Sequence, residues 1–172
     1  METQEIEEKI EEARESADKR IGLTMATVAV LLAIATMLGH RTHTEEVLIQ
    51  TKAADQWAYY QAKNTRASMH ADFAELVAAI PGNEKLGEKF RAHSEEQKSS
   101  ADEIKEKAED LEKETATTSR RASQYDTAEI FLEIAIVLSS ICLLTGLRVF
   151  WAVSFVSSLA GVAFLVVGLV MR

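Results

Sequence analysis

Proline occurs once in the 172 residues, at Pro81, and glycine only seven times, so the chain has few of the signals that break a polypeptide into short elements. Cysteine also occurs once, as Cys142 inside an apolar run, which excludes an intrachain disulfide and leaves the redox compartment unread. No G-x-x-x-x-G-K-[ST] loop, H-E-x-x-H pair, G-x-S-x-G elbow or C-x-x-C pair is present. Nothing therefore points to catalysis or to a cofactor, and the chain is expected not to be an enzyme. A surplus of basic residues is missing too. The formal net charge of −8 argues against a nucleic-acid partner, which favours a basic face.

Charge itself is absent from two long stretches. Residues 21–39, IGLTMATVAVLLAIATMLG, and 149–171, VFWAVSFVSSLAGVAFLVVGLVM, hold no ionisable side chain. About 20 apolar residues at 1.5 Å rise span the hydrocarbon layer, so both are expected to be transmembrane helices. A third run, Ile134 to Leu147, is shorter, and starting it at Ala128 brings it to spanning length with Glu129 and Glu133 included. The acidic segment 1–20 before the first run is unlike the basic start of a signal peptide, and no A-x-A site follows, so the first helix is read as retained. Within that segment Ile6, Ile10, Ala13 and Ala17 form a narrow apolar stripe.

The expected organisation is all-α: an acidic helix at 1–20, spans at 21–39, 128–147 and 149–171, and an extramembrane antiparallel coiled-coil hairpin at 40–127 that turns at 81–83. The turn rests on the sequence IPGN, Ile80 to Asn83, almost midway between the first two spans. At 1.5 Å per residue each arm would extend roughly 60 Å. In the returning arm Phe90, Ser94, Gln97, Ala101, Ile104, Ala108, Leu111, Thr115, Thr118, Ala122 and Tyr125 alternate by four and three, the 3.5-residue period of a supercoiled seam. In the outgoing arm Tyr59, Ala62, Met69, Phe73, Leu76 and Ile80 fit the same period, with Ala53, Tyr60, Ala67 and Ala74 beside them and Asp55 and Arg66 interrupting.

Aromatic residues make up only 6% of the chain, yet Trp57, Tyr59 and Tyr60 stand together. With the turn near residue 82, Trp57 and Tyr60 face Ile104, Ala108 and Leu111, rings against small residues. Trp57 lies roughly 27 Å beyond Gly39 along a continuous helix, too far for the aromatic belt at a membrane surface. Neighbouring rings at 59 and 60 cannot both face one partner helix, so one of them is expected to meet another subunit.

The string ADQWAYYQAKN, Ala54 to Asn64, resembles a signature of the bacterial membrane-protein family catalogued as domain of unknown function 4337. The likeness extends to TEEVLIQTKA before it, the charged helix after the turn, and the hinge LRVFW at Leu147 to Trp151. The resemblance implies a bacterial inner-membrane protein with three membrane helices and a coiled-coil insertion. It brings no activity, cofactor or catalytic residue.

Basic residues near the span ends divide almost evenly: Lys9, Arg14, Lys19, Arg20 and Arg148 against Arg41, Lys52, Lys113, Arg120, Arg121 and Arg172. Because the first helix usually dominates, the N-terminus is expected in the cytoplasm and the hairpin in the periplasm. Small residues mark helix contacts within lipid: Gly22, Ala26, Ala29, Ala33 and Thr36 in the first span, and Ser154, Ser158, Gly161 and Gly168 in the third. Whether these stripes close within one chain or between chains is open at this point. A homo-oligomer is expected, with Trp57, Tyr59, Tyr60, Phe73, Ile104, Ala108, Leu111 and Tyr125 at hairpin and subunit contacts and membrane lipid as the other partner.

Glu129 and Glu133 share a helix face at the entry to the second span. In one reading they line an ion path. In the other, Glu129 sits at headgroup level and Glu133 reaches water or pairs with Arg41, Arg120 or Arg121. His40 and His43, three residues apart near Glu45 and Glu46, are weak metal-ligand candidates. His70 and His93 should approach one another near the hairpin tip.

Overall fold

The structure, a computed structural model, is all-α, with three long helices and, among the described residues 2–171, no strand. Side chains at 2–8, 10, 12–14 and 17 are not described. The stripe Ile6, Ile10, Ala13 and Ala17 thus lies outside the described residues, as do Arg14 and Arg172.

Helix α1 runs from Glu2 to Ala78 over 77 residues. Its length follows from composition, since glycine interrupts it only at 22 and 39 and proline not at all. It ends where Pro81 can supply no backbone donor. The Ala79 and Ile80 amides still bond back to Glu75 and Val77, at 3.2 and 3.1 Å, and Gly82 then adopts φ 89°, a conformation that glycine takes without strain. The Asn83 carbonyl accepts the Leu86 and Gly87 amides at 3.0 and 3.1 Å and starts the next helix.

Helix α2 spans Glu84–Thr145. It stops at Gly146, with φ 70°, whose amide bonds the Cys142 carbonyl at 2.8 Å. Hydropathy extends this segment to Leu147, but Leu147 is extended and serves as the N-cap of α3, Arg148–Val170. Each of the three helices contains a stretch long and apolar enough to cross a membrane.

The chain divides into two compact units: residues 1–43 with 119–172, and Thr44–Thr118. In the first, the apolar parts of α1, α2 and α3 surround a core of Val28, Ala35, Ala128, Leu132, Ala135 and Leu165, with Leu31, Leu32, Ile136 and Phe164 packed on it. The small-residue stripe of α3 closes against α2 inside this chain. Ser154 and Ser157 donate to the Ala135 and Phe131 carbonyls, each at 2.7 Å, and the Ser139 and Ser154 hydroxyls meet at 2.6 Å. At Gly161 an added Cβ would stand 2.8 Å from Leu132 Cγ, so only glycine allows this approach. The α1 stripe does the opposite: Gly22, Ala26, Ala29 and Ala33 are exposed, and a Cβ on Gly22 would meet nothing within 4 Å.

In the second unit, contacts between the α1 and α2 segments run in opposite directions: Trp57 with Glu112, Ala67 with Ser94, His70 with His93. Every expected α2 seam residue from Phe90 to Thr118 is buried or half-buried. On α1 the expected register is wrong by one residue. The inward positions are Ile49, Ala53, Tyr60, Ala67, His70, Ala74 and Val77, spaced by threes and fours. Tyr59, Met69, Phe73, Leu76 and Ile80 instead remain 50%, 52%, 46%, 65% and 53% exposed, and Ala62 is exposed as well. Close approach explains the shift. Ala74 and Ala78 sit against Gly87, where a Cβ would lie 3.4 Å from the Ala74 carbonyl, which leaves no room for a phenylalanine or leucine in that layer.

Candidate functional site

The extramembrane candidate residues fall into an inward set and an outward set. Trp57 is half-buried, its indole Nε1–H donating to Glu112 Oε1 at 2.9 Å, with the Tyr60 ring edge-on at 5.6 Å and 84°. Ala108 and Ile104 are buried on α2 and Leu111 is half-buried, as the facing rule placed them. Tyr59 points outward, with the Lys63 ammonium 5.7 Å from its ring centre. Phe73 touches Phe90 at 5.8 Å while keeping nearly half its surface exposed.

His70 stacks on Phe90 at 5.9 Å and meets His93 at 5.8 Å, so the expected histidine approach is present. His70 Nδ1 and Gln97 Oε1 are buried without a hydrogen-bond partner among the described residues. Such atoms weaken a seam, because a buried polar group without a partner costs about 1–3 kcal/mol.

In the other unit a polar ladder descends one flank of the α1–α2 pair. His43 Nε2 lies 3.1 Å from both oxygens of Asp126, and the Arg121 guanidinium donates to Thr42 at 3.4 Å. One turn deeper, Thr36 donates to Glu129 Oε1 at 2.8 Å. Glu129 is therefore held inside the apolar segment rather than left at its mouth. Glu133, one turn further and roughly 10 Å along α2 from Asp126, is exposed. Among the described residues no hydrogen bond or ion pair reaches its carboxylate, which corrects the expected pairing with Arg41, Arg120 or Arg121.

No group of three or more histidine, cysteine, aspartate or glutamate side chains that could hold a metal ion gathers among the described residues. His43 turns to Asp126, a partner 83 positions away that spacing along α1 could not reveal. Tyr125 is buried at the α2 end of this ladder, its ring against Gly168 and its Cβ near Gly39.

A family model matches residues 17–171, from before the first apolar segment to the end of the last. The chain belongs to the family described as Domain of unknown function (DUF4337). No curated protein and no solved structure matches this member of the family. The family carries no activity that could be laid over the geometry. Thr36, Glu112 and Asp126 are the polar partners that pattern reading did not assign. Only their facing positions, whose numbers sum with those of their partners to 165 or 169, could have indicated them.

Proposed function

We propose that the protein is a non-catalytic, self-assembling scaffold or accessory protein of the bacterial inner membrane that displays an antiparallel coiled-coil hairpin. Its three apolar helices anchor it, the N-terminus lies in the cytoplasm, and the hairpin lies in the periplasm. One observation carries this reading. The Thr44–Thr118 unit is a long seam with a 3.5-residue period on both helices, built from alanines and a few rings, and its surface presents charge and exposed apolar side chains for contact. Small residues left exposed on the first apolar segment, Gly22 to Ala33, support association within lipid as well.

The direct test is the mass of the detergent-purified protein together with ion flux in proteoliposomes. The scaffold reading expects a defined oligomer and no flux above that of empty vesicles. A monomer sinks the self-assembly, and steady flux sinks the scaffold role.

A second reading, an ion-conducting assembly, is favoured by Glu133, an exposed carboxylate on an apolar helix whose neighbour Glu129 is already engaged by Thr36. Ionisable groups at such depth pair, meet water or serve a pathway. On this reading, Glu129→Gln with Glu133→Gln alters flux while leaving the oligomer mass unchanged.

A further inference from the structure

We infer that Met69, Phe73, Leu76 and Ile80 form a second seam, on which α1 of one copy packs against α1 of another, parallel and in register, near the turn. The inference rests on the self-assembly proposed above and names its surface. These four residues follow spacings of four, three and four, the same period as the inward seam one residue away, so α1 presents one face to its own α2 and another to solvent. All four are exposed although large and apolar, and together they present on the order of 400 Å², at the upper end of what a monomer leaves to water.

Charge identifies the occupant. The outer face of α2 is a shallow trough lined by Glu95, Lys98, Asp102 and Glu103, which offers no matching apolar stripe. A neighbouring copy can therefore cover the stripe only with its own α1. Both ends of the Thr44–Thr118 unit lead into apolar segments, so copies inserted in one membrane carry their turns on the same side and bring like residues to the same level. Higher up the stripe, Lys52, Asp55 and Arg66 occupy the equivalent positions and would face their own kind, which confines the contact to the region near the turn.

An interface of this size is weak between free molecules. Confinement of the copies to one membrane raises their effective concentration and makes it sufficient.

The test uses single-cysteine variants of the full chain in vesicles, in a Cys142→Ser background, with copper-phenanthroline oxidation. Phe73→Cys and Leu76→Cys are expected to form disulfide-linked dimers with themselves, and Glu103→Cys to form at least about tenfold less. The double variant Phe73→Glu and Leu76→Glu, surface changes that leave helicity intact, is expected to lower cross-linking through Ile80→Cys by a similar factor. An oligomer by mass in which Leu76→Cys does not link, or links no faster than Glu103→Cys, overturns this surface while leaving self-assembly standing. Linkage only between Phe73→Cys and Leu76→Cys copies mixed together overturns the parallel register. A monomer by mass overturns both readings.

Discussion

Glycine-to-alanine substitution should have opposite consequences at two positions in the apolar unit. At Gly161 the new Cβ would sit 2.8 Å from Leu132 Cγ, 3.0 Å from its Cδ2 and 3.1 Å from the Ala128 carbonyl oxygen. Carbon atoms rest at about 3.5–4.0 Å, so the overlap approaches 1 Å. Leu132 is fully buried and Cγ lies near the root of its side chain, while the carbonyl belongs to the α2 backbone, so neither can swing aside. Overpacking of this kind costs about 1–3 kcal/mol. At Gly22 the same methyl meets nothing within 4 Å. Both substitutions gain about 1 kcal/mol of helix propensity, so the difference between the two variants isolates the packing cost. For a chain of this size that corresponds to a melting temperature about 3–10 °C lower for Gly161→Ala than for Gly22→Ala. The assay is thermal unfolding followed by far-ultraviolet circular dichroism, both variants in the same detergent. Equal melting temperatures, or a more stable Gly161→Ala, would refute the close packing of α3 on α2.

Three further substitutions probe other contacts. Ser154→Ala removes the hydroxyl shared by Ser139 and the Ala135 carbonyl and should destabilise the apolar unit by about 0.5–2 kcal/mol; a neutral result in detergent melts counts against the serine bridge. Gln97→Leu replaces a buried acceptor that has no partner with an apolar group at a seam position, and should raise the stability of the Thr44–Thr118 unit by about 1 kcal/mol, read as slower protease cleavage there. Trp57→Phe keeps a ring but loses the Glu112 bond. It should cost about 1 kcal/mol or less, whereas Trp57→Ala, which also removes the ring from Tyr60, should cost distinctly more by the same protease measure.

The α2 seam was legible because charged residues flank it on both sides, so each inward position from Phe90 to Thr118 stands out against its neighbours. On α1 the same method chose the wrong face. It weighted Met69, Phe73 and Leu76 as the best core formers, whereas the close approach of the two helices selects Ala67 and Ala74. Hydropathy measures how strongly a side chain avoids water, and a tight helix pair is limited first by volume. The small stripes of α1 and α3 were visible in the sequence, but not their fates. Gly161 and Gly168 close within the chain, and Gly22 to Ala33 do not, a difference that depends on where α2 lies. The Thr36–Glu129 bond was hidden because a threonine in an apolar run usually satisfies itself on its own helix, as Thr24 and Thr27 do here.

The pairing of the two helices in Thr44–Thr118 is most directly tested by disulfide formation in the full chain, in membranes and in a Cys142→Ser background. The Ala67→Cys and Ser94→Cys pair, placed where the Ser94 hydroxyl reaches the Ala67 carbonyl at 2.8 Å, should close rapidly within a single copy. The Arg66→Cys and Ser94→Cys pair, one residue around the helix, should close slowly or not at all. Faster closure from position 66, or no closure from either, would contradict the account.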